Sequence, residues 1–206
     1  MTLFTPANIA ALVIAASFAA GLNVYATVFT LGVLARLHWV VLPSGLDTLA
    51  DWWVIGASGG MFALEFAIDK VPALDLVWNG LHTFIRIPIA ALLAYQATTH
   101  LSPQMQLLAT LSGAAIAFVA HGSKTAVRAA ITPSPEPVSN VVLSAGEDVL
   151  AVGVTWLATR HPWIAAAIAA TLTFVAILAV RWLVRTLRRV WRTTVPAASK
   201  TVRPVP

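Results

Sequence analysis

No cysteine occurs in the 206 residues, so disulfides and thiolate metal sites are excluded and cysteine usage says nothing of the redox compartment. Charge is scarce as well. Only 10% of residues are charged and 59% are hydrophobic, with a mean hydropathy of +0.83, against roughly 25% charged in soluble domains. That excludes an ordinary soluble domain and makes the chain an integral membrane protein. The first apolar run ends in small residues as a signal peptide does, but no basic segment precedes it, so it is read as retained. Catalytic signatures are missing too: no His-Glu-x-x-His, no Gly-rich phosphate fingerprint and no nucleophile elbow. His121-Gly122-Ser123-Lys124 lacks the preceding glycine and loop of a P-loop.

The net charge of +5 is unevenly spread. Residues 1–180 hold six Lys/Arg and eight Asp/Glu, whereas Arg181, Arg185, Arg188, Arg189, Arg192, Lys200 and Arg203 follow. The basicity therefore belongs to the tail. There Arg181, Arg185, Arg188 and Arg192 share a helical face beside Trp182, Leu183, Leu187 and Val190, the pattern of a helix lying along anionic headgroups rather than nucleic acid.

A spanning helix needs about 20 apolar residues, and six segments qualify: roughly 8–37, 50–70, 73–97, 103–132, 138–160 and 162–193. The first is too long for one straight span, and Gly21-Leu22-Asn23 marks a break or strong tilt. Lys70-Val71-Pro72 forces a tight turn, because proline disfavours helix in the residue before it. Pro133 to Pro137 is a loop, and Pro103 opens a helix in its first turn. Trp52, Trp53, Trp156, Trp163, Trp182 and Trp191 fall near span ends, as an aromatic belt does. Six spans followed by the Arg-rich tail put both termini in the cytoplasm. Lys70, Lys124 and Arg128 agree with that side, and Arg36 and Arg160 do not.

One short pattern occurs twice. Ser58-Gly59 is followed by Lys70 and Ser112-Gly113 by Lys124, with twelve residues from serine to lysine in each copy. An offset of 54 aligns the two lysines; an offset of 61 puts Asn79 on Asn140 and Arg86 on Glu147. Opposite charges at equivalent positions are what two facing elements need to neutralise each other. The expectation is an all-α, polytopic helical membrane bundle of about six transmembrane helices. It forms a single domain over 1–193, with repeated elements at about 50–97 and 103–160 and a disordered cytoplasmic tail at 194–206. Two hairpins that begin two helices apart run in the same direction, so the obvious unit is a parallel repeat; an inverted one requires two sets of three helices, and the sequence alone does not choose. Gly56 and Gly60, and Gly113 with Ala117, are spaced for close helix packing.

Polar residues recur at helical spacing within these apolar segments. Asp75, Asn79, His82 and Arg86 share one face, as do His121, Lys124 and Arg128. Asn140, Ser144, Glu147 and Asp148 form another stripe; Glu65 and Asp69 are one turn apart, as are Asn23 and Thr27. Lipid cannot solvate such faces, so they turn inward toward each other or toward water. Two readings follow: a path for a small ion or polar solute, or a static salt-bridge network that fixes the bundle. The cost of about 2.5 to 3.5 kcal/mol for each ion near a helix centre favours the path. His82, His121 and the carboxylates could ligate a metal, but none sits in a recognised ligand spacing, so neither metal nor cofactor is expected. An intramembrane hydrolase using Ser123 or Ser144 with His121 is a third reading; no enzyme activity is expected.

The run Ala20-Gly21-Leu22-Asn23-Val24-Tyr25, with Leu31 to Arg36 behind it, resembles the opening of the bacterial membrane proteins catalogued as domain of unknown function four-one-two-six. Phe62-Ala63-Leu64-Glu65-Phe66 through Asp69-Lys70-Val71-Pro72 and Asp75 is similar to that family's most recognisable motif, and His121-Gly122-Ser123-Lys124 with Arg128 to its second block. The resemblance covers about residues 8–180 and implies a small polytopic membrane protein of the bacterial inner membrane. The residues themselves point to a transporter or channel for a small ion or polar solute, with protons coupled through Glu65, Asp69 or Glu147. The candidate path holds Asn23, Glu65, Asp69, Lys70, Asp75, Asn79, His82, Arg86, His121, Lys124, Arg128, Asn140, Glu147 and Asp148. The expected partners are the bilayer, anionic headgroups at the tail, the ion or solute and a second copy of the chain. The competing class is a non-transporting scaffold or lipid-handling protein.

Overall fold

The computed structural model describes residues 5–131 and 137–194, all helix, turn or short connection, with no strand among them. Seven α-helices follow one another: α1 Pro6–Leu22, α2 Val24–Arg36, α3 Trp52–Ile68, α4 Pro72–Ala97, α5 Pro103–Ile131, α6 Pro137–Arg160 and α7 Pro162–Thr194, with a 3-10 helix at Ser44–Ala50 before α3. Among the described residues, four stretches are long and apolar enough to cross a membrane: Val77–Ala97, Pro103–Arg128, Val141–Arg160 and Pro162–Thr186. The helices α1, α2 and α3 are shorter apolar elements. Leu81, Phe84, Leu107, Leu108, Leu111, Phe118, Phe174 and Val175 are exposed on the long helices, an outer apolar surface suited to lipid.

The first apolar run is not one continuous helix. At 1.5 Å per residue, α1 is about 25 Å long and α2 about 20 Å, each short of the ~30 Å hydrocarbon core. Asn23 separates them in extended geometry, with φ −149 and ψ 102. There the chain turns back on itself. Leu31 of α2 returns to the level of Leu12, Val13 and Ala16 of α1, so the two helices form a V with Asn23 at its tip. Gly21-Leu22-Asn23 does mark the break, and what the sequence did not show is the reversal.

Around this V the remaining helices alternate in direction. Helix α1 is apolar on nearly every face and almost entirely buried, and it packs against α4, α5, α6 and α7, as an all-round apolar helix must. Gly113 of α5 lies against Ser17 and Ala94, and Gly21 against Ala117 and Ala120, so α5 runs parallel to α1 at close approach. Trp163 at the start of α7 donates to Asn8 near the start of α1 over 3.0 Å. From there α7 runs about 50 Å to the far end. The first and last described residues thus lie at opposite ends of the bundle. The expectation of both termini on one side counted the first run as one straight crossing, whereas the chain reverses at Asn23.

The Lys70-Val71-Pro72 turn is present, with Pro72 at the first position of α4, and Pro103 likewise opens α5. The Pro133 to Pro137 loop lies outside the described residues except for Pro137, where α6 begins, and residues 195–206 of the tail lie outside them altogether. Gly113 and Ala117 pack as their spacing suggests. Gly56 and Gly60 do not: a methyl group added at either would meet nothing within 4 Å, because α3 packs chiefly on α2 through its other face.

Gly21→Ala would bring its Cβ 2.7 Å from the Ala117 carbonyl oxygen and is expected to cost about 1–3 kcal/mol. Gly60→Ala should stay within about 0.5 kcal/mol, with unfolding of the detergent-solubilised protein as the measurement. The absence of native cysteine makes the V testable by labelling. Single cysteines at Thr5 and at Arg188 are expected to react with an impermeant thiol reagent from opposite sides of the membrane.

Candidate functional site

The V ends inside the bundle, so two helix termini need partners there. The Asn23 side chain caps the new helix, its Oδ1 accepting from the Ala26 N–H over 2.9 Å. Its Nδ2 donates to Asp148 Oδ1 over 2.8 Å. At the carbonyl end of α1, Lys124 Nζ donates to the Leu22 oxygen over 3.1 Å. A cation at the C-terminus and a carboxylate beside the next N-terminus match the signs of the two helix dipoles.

Lys124 also joins three carboxylates, from α3, the turn that follows it and α6: Glu65 at 3.5 Å, Asp69 at 3.6 Å and Glu147 at 3.2 Å. Arg86 is ion-paired with Glu65. Arg128 bridges Asp69, at 2.9 Å, and Glu147, and Ser144 donates to Asp69 over 3.1 Å. Glu65, Asp69, Arg86, Lys124, Arg128, Glu147 and Asp148 are all buried. The group forms a column running from the tip of the V toward the end where α3 turns into α4, extending about 10 Å along α5 from His121 to Arg128.

At the His121 end of the column two histidines are each held by their own hydrogen bonds. Arg86 Nη1 donates to His121 Nδ1 over 3.0 Å, so the proton of the neutral ring is on Nε2, which faces Thr83 Oγ1 at 2.8 Å and the Asn79 carbonyl at 3.1 Å. His82 Nδ1 lies 2.8 Å from the Trp78 carbonyl and must donate, leaving Nε2 to accept from the Tyr25 hydroxyl at 3.0 Å. Both rings are thereby fixed in orientation and tautomer.

Of the residues singled out by spacing, Asn23, Glu65, Asp69, Asn79, His82, Arg86, His121, Lys124, Arg128, Glu147 and Asp148 come together. Lys70 does not: it is exposed at the turn, its Nζ 3.7 Å from the Phe66 ring centre. The two lysines of the doubled pattern therefore occupy unlike surroundings. Arg86 and Glu147 do not neutralise each other directly, because each pairs with a nearer partner. The side chains of Asp75 and Asn140 lie outside the described residues. Tyr25, Thr83 and the Leu22 carbonyl were missed. Thr83 carried a signal, one turn beyond Asn79 on the same face, whereas a backbone carbonyl has none.

Among the described residues, no three His, Asp or Glu side chains converge as a metal site would require. Ser123 Oγ donates to the Val119 and Ala120 carbonyls and Ser144 to Asp69, so neither serine is hydrogen-bonded to His121. The described cluster holds four carboxylates, Glu65, Asp69, Glu147 and Asp148, against three permanent cations, Arg86, Lys124 and Arg128. Glu65 Oε2, Asp148 Oδ2 and, on the cationic side, Arg86 Nε are buried with no hydrogen-bond partner. The surplus is negative, and two of its oxygens have lone pairs to spare.

Arg86→Met strands Glu65 beside a single remaining cation and is expected to cost about 3–5 kcal/mol, while the apolar double variant Arg86→Met/Glu65→Leu recovers most of that loss. Lys70→Ala should change stability by less than about 0.5 kcal/mol. Thermal unfolding in detergent measures all three.

No curated protein and no solved structure is detectably similar to the chain. One family model matches it, described as a domain of unknown function, DUF4126, over residues 10–182. That match spans the V, all the helices of the charged column and most of α7, and the chain belongs to this family.

Proposed function

We propose that the protein moves a small ion or polar solute across the bacterial inner membrane along the buried charged column, and that the species is a cation, protons included. The observation that carries this reading is the pairing of a discontinuous helix, broken at Asn23, with ionisable groups gathered at its broken ends. A helix interrupted inside a bilayer is unfavourable unless its ends are used, and interrupted helices whose termini face ions are a recurrent device of secondary transporters. The unmatched carboxylate and the free lone pairs on Glu65 and Asp148 favour a positive species. Asp148 and Glu65 bind it in this reading, and Lys124, touching both the α1 carbonyl end and three carboxylates, is the competing internal cation. Arg181, Arg185 and Arg188, exposed on α7, favour a cytoplasmic location for that end of the bundle.

A second reading has its own support. Each cation of the cluster is paired with at least one carboxylate, as a static network that fixes the V would require. The two readings separate in proteoliposomes loaded with a pH-sensitive dye and tested with sodium and rubidium gradients. The transport reading expects flux above protein-free vesicles, reduced on the order of tenfold by Asp148→Asn and Glu65→Gln, the effect of about 1.4 kcal/mol on a barrier, and unchanged by Lys70→Ala. The scaffold reading expects lowered thermal stability in the first two variants and no flux in any of them.

A further inference from the structure

A second polar feature lies at the other end of the bundle, away from the charged column. The start of α1, the segment 38–42 that follows α2, and the α6–α7 turn line a half-open cavity of about 530 Å³, a size that holds a small organic ligand or part of a lipid. Ile9, Leu12 and Ile164 are among its apolar lining residues and Arg160, His161 and His38 among its basic ones, with no Asp or Glu in the lining. Arg160 makes no ion pair with any described residue and is exposed. This contrasts with Arg86 and Arg128, which are buried against carboxylates.

Location narrows the ligand. The spans Val141–Arg160 and Pro162–Thr186 meet at this turn, so the cavity lies where hydrocarbon gives way to headgroups. Trp39 and Trp163 line it and are each 60% exposed, the position amphipathic rings take at that level. The Trp163 indole is tied to Asn8, which fixes one wall. His38 is held at φ 57, the one non-glycine residue with positive φ among those described. A conformation that histidine adopts uncommonly is thus maintained at the rim of the cavity.

We propose that this cavity binds one anionic phospholipid, its phosphate held by Arg160, His161 and His38 and its acyl chains lying against Ile9, Leu12 and Ile164. A permanent cation without an ion-pair partner among the described residues, two further nitrogen donors, no carboxylate in the lining and apolar lining residues near a span end together match a phosphate joined to a hydrocarbon chain. The site is independent of the charged column, and its occupancy says nothing for or against transport.

Native mass spectrometry of the full chain, released from detergent with dilauroylphosphatidylglycerol, dilauroylphosphatidylcholine or inorganic phosphate, tests the assignment. The expected result is one tightly retained phosphatidylglycerol, favoured roughly tenfold over phosphatidylcholine, with inorganic phosphate not retained. Arg160→Gln/His161→Gln should erase the preference. Val41→Trp, which fills the cavity from an exposed position and removes no charge, should lower retention of both lipids. Arg181→Gln/Arg185→Gln, at the opposite end, should leave the retained lipid in place. Equal retention of the two lipids by the wild-type chain would overturn the proposal, as would retention unaffected by both cavity variants. Loss confined to the Arg181/Arg185 variant would do so as well, and inorganic phosphate held as firmly as the lipid would rule out the acyl-chain half of the site.

Discussion

The hydrogen bond from the Lys124 ammonium to the Leu22 carbonyl is the interaction on which the arrangement turns. A helix that stops inside a bilayer leaves its last carbonyls without water, and each unsatisfied group there is worth several kcal/mol. Lys124 meets one of them, but an ammonium drawn to that depth must itself be neutralised. That requirement gathers Glu65, Asp69 and Glu147 from α3, the following turn and α6. Those carboxylates then exceed what one lysine can balance, and Arg86 and Arg128 complete the set. The broken helix and the buried charges are thus one solution to one problem, each without physical justification in the absence of the other.

This coupling explains why the two halves of the bundle are so different in character. Toward the end where α1 begins, the V fills the interior with Ile9, Val13, Val24 and Leu31, and the packing is apolar and close, with Gly21 and Gly113 allowing backbones to approach. Beyond the tip of the V the space between α3, α5 and α6 is occupied by ionised side chains, and α3 stands against α2 alone over most of its length. Ion pairs held in this way bring conformational specificity more readily than net stability. The surplus carboxylate leaves the column unbalanced, a property that a purely packed network has no reason to retain.

Much of this was legible in the sequence. The stripe through Asn79, His82 and Arg86 follows from the helical period, and an apolar chain leaves such a face nowhere to turn but inward. The turn at Lys70-Val71-Pro72 follows from proline sterics. Partnership is another matter: the period places Arg86 on a face but does not show that Glu65 meets it, since that depends on how α3 and α4 cross. The reversal at Asn23 was hidden for a similar reason. Gly21-Leu22-Asn23 signals that a helix weakens, while the partner that receives its carbonyl end, Lys124, lies a hundred residues downstream. Gly56 and Gly60 show the converse, a packing motif by spacing that faces open space because no helix lies opposite. Lys70 and Lys124 match in sequence and part in structure, because one falls on a turn and the other on the inner face of α5.

The proposed transport requires that the tip of the V, buried in protein, be reached from water through the charged column. Reaction of Asn23→Cys, the sole thiol in an otherwise cysteine-free chain, with a small charged methanethiosulfonate reagent applied to each side of sealed vesicles tests it most directly. The account predicts modification from the side to which the Lys70 turn is exposed, at a rate well above that of a cysteine placed at Val13 in the apolar half. A thiol at position 23 that stays inert from both sides, in a protein that keeps its native helicity, would contradict it.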